Sequence, residues 1–508
     1  TLNYSQTNDG WRAMYLEANV NYARSFGKHA VGGLLLYQMS QKNYVGSSAG
    51  NSQAALPYRH QGIAFRATYN YDSRYFVEFN AGYNGSENFS PGHRFGFFPS
   101  VAAGWMLSEE NFWAPVKNVI DKFKIKGSFG IVGNDQIGGG RRFIYLETIV
   151  GGGGYYFGQD ATHYSSLRLG DWPNDNVGWE ESKKLDVGFD ISFFNKLDVQ
   201  FDYFYENRDG IFLQRESIPQ FVGITNNPWV NIGKMRNRGF DLSLKYDQKI
   251  GQVQLSALGN FTFARNVILE KDQPDYPELY QNREGQAFGE TFGYVSDGLF
   301  KDQADIDSSP DQTFLGTISP GDIKYKDLNS DGRIDESDQK ALGFTGMPEI
   351  VYGFGLSAVW KGLDVSVFFQ GTGNVKINRR TTLTTPFTNT PCLTNVFQDL
   401  VGNYWTEENP DPNARYPRLS LGTNTNNSVM SDYWLADGSY LRLKSAEIGY
   451  TFPSKWMKKA KLSSLRLYVS GNNLLTFSQF KLWDPDNMTN PGNYPLTRIV
   501  NFGIDLKF

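Results

Sequence analysis

The last eight residues of the chain alternate between apolar and polar side chains and end on an aromatic residue. In this segment, NFGIDLKF, the side chains of Phe502, Ile504, Leu506 and Phe508 share one face of a strand, and polar residues or glycine occupy the other face. A lipid-embedded sheet requires this pattern, because one face meets hydrocarbon and the other meets water. The pattern recurs along the chain and predicts an outer-membrane protein that crosses the bilayer with strands.

Composition excludes other classes of protein. The mean hydropathy is -0.46, and no window approaches the roughly 18 uncharged apolar residues of a membrane-spanning helix. The net charge is -4 and no long basic run occurs, so nucleic acid is not expected as a partner. The single cysteine, Cys392, excludes an intramolecular disulfide framework.

Period-two alternation predicts about fifteen strands. Leu242 and Leu244 alternate with Asp241 and Ser243, for example, which separates a lipid face from a face toward a wet lumen. The strands are predicted near residues 13–25, 29–42, 60–71, 75–86, 95–107, 123–133, 182–194, 196–208, 237–249, 252–264, 347–360, 362–371, 440–452, 465–474 and 497–508.

The connections alternate between tight turns and long polar segments. Tight turns are predicted at residues 27–28, 72–73, 195–196, 250–251 and 361–362, and brief helices within residues 108–122 and 453–464. The long connections cover residues 43–59, 134–181, 209–236, 265–346, 372–439 and 475–496. Transmembrane barrels have short periplasmic turns and long extracellular loops, so we expect function to lie in the long loops.

The odd number of predicted strands indicates whether the barrel formed by this sequence is complete. With a periplasmic C-terminus, about fifteen strands place residue 1 outside the cell, whereas single-chain bacterial barrels have an even strand number. An open sheet edge in lipid costs several kcal/mol for each unsatisfied backbone group. The sequence therefore predicts that residues 1–508 are the C-terminal part of a larger all-β, antiparallel transmembrane barrel. No signal peptide is recognisable at residue 1.

Several segments resemble TonB-dependent outer-membrane transporters of the SusC/RagA type, and together they cover essentially the whole chain. They are RFGFFPSVAAGWMLSEE at residues 94–110, IKGSFGIVGN at 125–134, NIGKMRNRGFD at 231–241, the segment 321–338, the segment 404–418, LADGSYLRLKSAEIGYTFP at 435–453 and LRLYVSGNNLLTF at 465–477. The resemblance implies a barrel of about 22 strands with an N-terminal plug in its lumen. The plug, the segment that contacts TonB and the early strands are absent from this sequence.

One loop has the spacing of a calcium site, within the long connection 265–346. In the EF-hand-like register of residues 327–338, Gly332 makes the sharp turn at position six. The predicted ligands are Asp327, Asn329, Asp331, the backbone carbonyl of Arg333, Asp335 and Asp338. Position twelve carries aspartate where glutamate is usual, which predicts weaker Ca2+ binding, or Mg2+ that keeps some of its water. An Asn/Asp/Gly-rich turn without metal is the alternative.

Tryptophans in the long loops are candidate substrate contacts, because their rings stack on sugars. The candidates are Trp172, Trp179, Trp229, Trp405 and Trp434, and the alternative is that they belong to the aromatic girdles at the membrane interfaces. The chain has only four histidines, without ligand spacing, and no G-x-S-x-G, H-E-x-x-H or P-loop pattern. We therefore expect a protein that is not an enzyme.

The resemblance implies import of an oligomeric nutrient, a glycan or a peptide, through the outer membrane. The implied partners are a SusD-like surface lipoprotein, TonB acting through the missing N-terminal part, the remaining barrel strands with the plug, and outer-membrane lipid. Two alternatives remain from other classes: a scaffold subunit of an outer-membrane assembly, and a passive porin. Energy-dependent uptake separates the importer from both.

Overall fold

The computed structural model describes residues 4, 6, 9–46, 56–137, 141–224, 226–381, 383–387, 396–459, 461–487 and 494–508. Cys392 lies outside these residues, so the expectation about disulfides stays a prediction. No helix in the described ranges is long and apolar enough to cross a membrane.

Fifteen long strands of the described chain form one antiparallel sheet. In chain order the strands are β1 (Asp9–Phe26), β2 (His29–Gly46), β3 (Tyr58–Tyr71), β4 (Tyr75–Ser86), β5 (Phe95–Met106), β6 (Ile120–Asn134), β7 (Ile149–Gly151), β8 (Tyr155–Phe157), β9 (Thr162–Tyr164), β10 (Leu167–Leu169), β11 (Glu180–Phe193), β12 (Leu197–Gln214), β13 (Trp229–Ile250), β14 (Val253–Glu270), β15 (Phe292–Gly293), β16 (Ser296–Leu299), β17 (Ile323–Tyr325), β18 (Lys340–Ala341), β19 (Ile350–Trp360), β20 (Leu363–Gly373), β21 (Lys376–Asn378), β22 (Leu435–Asp437), β23 (Tyr440–Thr451), β24 (Ser464–Ser478) and β25 (Ile499–Lys507). The order in the large sheet is β1-β2-β3-β4-β5-β6-β11-β12-β13-β14-β19-β20-β23-β24-β25.

The remaining strands pair in short two-stranded ribbons within the loops, namely β7 with β10, β8 with β9, β15 with β18, β16 with β17, and β21 with β22. Three short helices are α1 (Gln303–Asp307), α2 (Thr425–Ser428) and α3 (Ser454–Lys459). Single 3-10 turns occur at Leu107–Glu109, Asn111–Trp113, Gln220–Val222, Leu279–Gln281, Thr313–Leu315, Glu336–Asp338, Gln398–Leu400 and Asp432–Trp434.

The predicted strands are confirmed one for one, and so are the brief helices in both of the expected connections. The tight turns are confirmed as well. At the turn after β19, for example, Lys361 and Gly362 take positive φ values of 49° and 92°. The main difference is length, because β13 begins at Trp229 where the sequence predicts a start near residue 237. The segment NIGKMRNRG has no apolar alternation, but beyond the lipid both faces of a strand meet water and the ladder continues without it.

The chain divides into two compact units. Unit 1 comprises Thr1–Asn195, Gln200–Phe240 and Asn266–Asp275, and unit 2 comprises Lys196–Val199, Asp241–Arg265 and Tyr276–Phe508. Each has its own cluster of buried apolar side chains in the loops.

In unit 1 the two faces of the strands have different chemistry. On β1 the polar face carries a row of side-chain hydrogen bonds: Tyr15 donates to Glu17 (2.5 Å), Asn19 donates to Glu17 (3.2 Å), and Asn21 donates to Asn19 (2.8 Å). The opposite face of β1 carries Leu16 and other apolar side chains. This is the separation that a sheet between lipid and water requires.

Unit 2 repeats the separation. On its polar face, Arg466 of β24 bridges Asp364 of β20 and Glu447 of β23, with its Nε 3.1 Å from the Asp364 carboxylate and its Nη2 2.5 Å from that of Glu447. On its apolar face, the rings of Phe354 and Phe369 stack with centroids 5.0 Å apart. The register of β23 against β24 shifts between Leu443 and Ser445, so β23 carries an irregularity of the β-bulge kind near its extracellular end.

Candidate functional site

In two long loops of unit 2, the described residues 276–346, 374–381, 383–387 and 396–439 fold together into a body that has its own apolar core. We call it the loop body. Its buried side chains are Tyr294, Leu299, Leu315, Ile323, Tyr325, Ile334, Leu400, Trp405, Tyr416 and Trp434. Because residues far apart in sequence share this core, the loops hold a defined shape and do not behave as independent segments.

A buried carboxylate links the two loops of the loop body. Asp322 has no exposed surface, and it accepts hydrogen bonds from the side-chain amides of Asn424 (2.8 Å) and Asn427 (2.9 Å). The guanidinium Nε of Arg418 lies 2.7 Å from it. Gln312 joins the same region by donating to Asn426 at 2.8 Å. A buried charge needs such a complete set of partners, so this network fixes the loops relative to each other.

The predicted metal loop lies in the loop body as a compact turn. The two oxygens of Asp327 accept the backbone N–H groups of Ser330 (2.6 Å) and Gly332 (2.8 Å). Gly332 has φ +83°, so the sharp turn predicted at position six is present. Asp331 accepts the N–H of Arg333 at 2.8 Å. The first half of the loop is therefore closed by its own carboxylates.

Asp338 closes the second half of the loop. It is fully buried and accepts the N–H groups of Leu328 (2.7 Å) and Asp335 (2.9 Å). Burial raises the pKa of Asp338, and the negative charges of Asp327 and Asp335 raise it further. Tyr280 donates to the backbone carbonyl of Ser337 at 2.8 Å, and burial, followed by the charges of Glu278 and the loop aspartates, raises the pKa of Tyr280 to about 12. The loop thus concentrates negative charge in a small volume.

The donor chemistry of this loop suits a hard divalent cation, because all of the predicted ligand atoms are oxygens. Within the described residues, however, no three His, Cys, Asp or Glu side chains gather closely enough to hold one metal ion. The carboxylates instead accept backbone N–H groups of the loop. Coordination requires these side chains to turn toward a common centre, and binding of metal here stays a prediction.

The two predicted tryptophans in unit 2 lie in the core of the loop body. Trp405 is 5% exposed and Trp434 is fully buried. The indole N–H of Trp434 donates to the backbone carbonyl of Asn427 at 3.0 Å, and Gly321 packs directly against the ring of Trp405. In this arrangement neither ring offers a face to a sugar, so both serve packing.

The three predicted tryptophans in unit 1 differ in exposure. Trp179 donates to the carbonyl of Arg94 (3.1 Å), and Trp229 stacks on Phe212 with centroids 5.1 Å apart. Both therefore pack against the second buried cluster. Trp172 is 42% exposed, which leaves it as the predicted substrate contact whose ring is open to solvent.

Unit 1 also carries an exposed apolar ribbon that the sequence analysis did not single out. β7 pairs with β10 and β8 pairs with β9, which makes residues 149–169 a two-part hairpin. Its large exposed side chains are Ile149, Val150, Tyr155, Tyr156, Phe157, Tyr164, Leu167 and Leu169. Exposed apolar side chains gathered on one hairpin are typical of surfaces that contact another molecule.

A second feature absent from the sequence analysis lies where the last long loop leaves β24. The buried guanidinium of Arg442 on β23 bonds to Asp484 and Asp486, each at 2.5 Å, and its Nε donates to Thr476 at 3.0 Å. The sequence signal was the short run of aspartates in the loop, but no local rule pairs it with an arginine about forty residues away.

Comparison with known proteins gives one matching family model, described as TonB dependent receptor-like, beta-barrel, over residues 1–474. TonB-dependent receptor P3 of Formosa agariphila is 30% identical over 472 residues, which cover 87% of this chain and 45% of that protein. TonB-dependent receptor SusC of Bacteroides thetaiotaomicron is 25% identical over 481 residues, which cover 90% of this chain and 44% of that protein. Both relatives are named as receptors and not as enzymes, in agreement with the expectation from the sequence.

Among solved structures, the RagAB peptide transporter superposes with a TM-score of 0.74 at 20% identity, over 98% of this chain and 56% of the matched chain. A likeness at this identity shows the fold, and it confirms the predicted class of barrel. The chain spans slightly less than half the length of the curated relatives it matches.

Proposed function

The chain belongs to the TonB dependent receptor-like β-barrel family of the outer membrane, and from this premise we propose that it forms part of the barrel of an importer for an oligomeric nutrient. One observation carries the proposal. The fifteen-stranded sheet separates an apolar face from a polar face, while two of its long loops fold into the cored loop body. A wall for a lumen and an ordered extracellular surface are the parts that a selective importer needs.

A glycan or a peptide is the substrate class that we propose. Support for a peptide comes from the solved peptide transporter that shares the fold. Support for a glycan comes from the exposed ring of Trp172 in unit 1, since a flat indole stacks on the apolar face of a sugar. Replacing Trp172 with alanine weakens uptake of a glycan if the ring contacts it, whereas Trp434→Ala perturbs the loop body for either substrate.

The proposed partners are a SusD-like surface lipoprotein outside the cell, TonB inside it, and the plug with the remaining strands. The hairpin of residues 149–169 supports the first, because its exposed tyrosines, phenylalanine and leucines suit contact with another protein. TonB and the plug are supported by the family alone. Co-purification of the lipoprotein should be lost when Tyr156 and Leu167 are both replaced with serine. It should survive Ser166→Ala, the matched control, which changes an exposed polar residue of the same hairpin.

Calcium is the cofactor that we propose for the loop of residues 327–338. Asp327, Asn329, Asp331, Asp335, Asp338 and the carbonyl of Arg333 would hold the ion. Burial raises the pKa of Asp338, and the charges of Asp327 and Asp335 raise it further. A divalent cation would offset the repulsion among these carboxylates. Its role would be to order the loop and not to take part in chemistry. Mg2+ would fill the same role with fewer protein ligands.

The experiment that tests import is uptake by intact cells that carry or lack the full-length protein. Cells are supplied with a fluorescently labelled oligosaccharide or oligopeptide, and uptake is measured with and without a protonophore that removes the energy source of TonB. Import predicts accumulation that requires both the protein and the energy source. A variant lacking the segment that contacts TonB is the matched control, because its barrel and loops are unchanged.

Each other outcome points to a different function. Uptake that persists without energy supports a passive pore, which steady conductance in a planar bilayer would establish. Absence of uptake with either substrate, together with stable co-purification within a larger assembly, supports a scaffold. Either result overturns the importer.

A further inference from the structure

The apolar face of unit 1 changes character near the extracellular ends of β1 to β5. Short turns join these strands at one end, and long connections mark the other end as extracellular. The register places cross-strand neighbours in rungs. One rung of the apolar face consists of Ala18, Tyr37, Ile63, Tyr83 and Phe97. Its aromatic side chains are those expected where hydrocarbon meets the headgroup region.

The next rung toward the outside begins to turn polar. It consists of Leu16, Met39, Gln61, Gly85 and Phe95. A Cβ atom on Gly85 would meet the ring of Phe95, which itself stacks on Tyr83 at 5.1 Å. The bare backbone of Gly85 therefore lets the aromatic ring lie flat against the sheet and leaves a hollow beside it.

The next rung toward the outside carries the positive charge of Arg59. Met14 pairs with Gln41, and Gln41 pairs with Arg59. The Nε of Arg59 donates to Gln41 at 3.1 Å, and its Nη1 lies 3.3 Å from the carboxylate of Glu87. Arg59 remains 52% exposed despite both contacts. Arg12 lies on the same face of β1, one residue pair closer to the outside, so arginines outnumber the single glutamate here.

These rungs line one hollow of about 450 Å³, whose walls include Met14, Leu16, Met39, Arg59, Glu87 and Phe95. Its lower part is apolar and its upper part carries the guanidinium of Arg59. Because the hollow lies on the lipid face at the outer interface, its apolar lower part suits a hydrocarbon chain. A lipid whose polar head reaches Arg59 would fill both parts of the hollow.

We propose that this hollow binds a lipid of the outer leaflet that carries an anionic phosphate. The phosphate lies against Arg59, with Arg12 adding a second positive charge, and an acyl chain lies along Met39, Leu16 and Phe95. Arginine suits phosphate because its planar guanidinium presents several N–H donors at once. The lipid would hold β1 to β5 together at the outer interface.

The test uses the full-length protein, extracted from the outer membrane in detergent and stripped of lipid. Dioleoylphosphatidylglycerol and dioleoylphosphatidylcholine are titrated separately, and bound lipids are counted by native mass spectrometry. We expect the anionic lipid to bind at least about fivefold more tightly, the effect of about one cation at an anionic lipid surface. Arg59→Gln should remove this preference, and Arg59→Lys should keep most of it because the charge stays.

Two further variants separate headgroup from chain. Lys42 follows Gln41 on β2 and therefore lies on the opposite face of the sheet, over the rings of Trp11 and Tyr44. Lys42→Gln removes this cation and should leave the lipid preference unchanged. Met39→Ala should weaken both lipids by a similar factor, since it alters only the apolar wall. A heat-dependent shift in gel mobility verifies that each variant is folded.

Four results would overturn the proposal. The first three are equal binding of the two lipids by the unmodified protein, retention of the preference in Arg59→Gln, and unchanged lipid binding in Met39→Ala. The fourth is complete displacement of the anionic lipid by inorganic phosphate, because the hollow would then be a site for a free anion.

Discussion

Replacing Leu242 with arginine should destabilise the barrel by an amount that its depth in the membrane sets. Leu242 lies on β13 four residues before Tyr246, an aromatic residue of the same face near the periplasmic end of the strand. At about 3.4 Å per residue and a tilt of about 40°, Leu242 lies about 10 Å farther into the bilayer, close to the middle of an apolar band about 25 Å tall. Arginine on the lipid face at that depth costs about 2 to 4 kcal/mol.

The assay is urea unfolding of the full-length protein in lipid vesicles, followed by tryptophan fluorescence, with the free energy of unfolding taken for each variant. Ser243→Arg is the matched control, because it introduces the same side chain one residue along on the polar face. Asp241→Asn on that polar face, where the Asp241 carboxylate accepts from the Thr262 hydroxyl at 2.5 Å, should also cost little. Equal losses for Leu242→Arg and Ser243→Arg would refute the assignment of faces in unit 2.

Three further predictions concern the loops. Asp331→Ala should abolish protection of the loop body by Ca2+ in limited proteolysis without unfolding the barrel, whereas Asp307→Ala in the same loop should not; protection that survives in Asp331→Ala would contradict a calcium site. The raised pKa of Asp338 means that the folded loop binds its proton more tightly than the unfolded chain does, so without metal the loop gains stability as the pH falls from neutral toward that pKa. Protection by Ca2+ should therefore shrink over the same range, and proteolysis at a series of pH values with and without CaCl2 measures it. Arg442→Met removes the cation shared by Asp484 and Asp486, whose side chains are 15% and 31% exposed, and should weaken attachment of the last long loop by about 1 to 3 kcal/mol. This loss is seen as faster hydrogen exchange in that loop, while the exposed Arg498→Met should leave exchange unchanged.

The strands could be predicted from the sequence because the membrane restricts which backbone structures are possible. In lipid a backbone must satisfy its own hydrogen bonds, so a run such as Leu242 to Tyr246 has only to alternate in order to be a strand. Above the membrane, water can satisfy the backbone hydrogen bonds equally well, so alternation of apolar and polar residues no longer identifies a strand. The early start of β13 at Trp229 was missed for this reason.

The loop body could not be predicted for a related reason. Its structure depends on hydrogen bonds such as that between Asp322 and Asn427, which are 105 residues apart. No local sequence pattern predicts such pairs. The tryptophans show the same limit: composition placed Trp172 and Trp434 in one class, yet the first is open to solvent and the second is fully buried. The turn of the metal loop was predictable at Gly332 because a positive φ is a local requirement.

The strands of the sheet and the long loops contribute differently to stability and to specificity. A substitution on a strand face changes the free energy of inserting a side chain into lipid or water, and this cost is nearly independent of what the loops bind. A substitution at Asp322 or Arg442 removes a partner from a buried charge, so its cost falls on the shape of the loops. The loops can therefore change in sequence and in what they bind without a change in the strands, provided that each new loop again pairs its buried charges. Loss of import without loss of the folded barrel should accordingly be the common result of substitutions in the loop body.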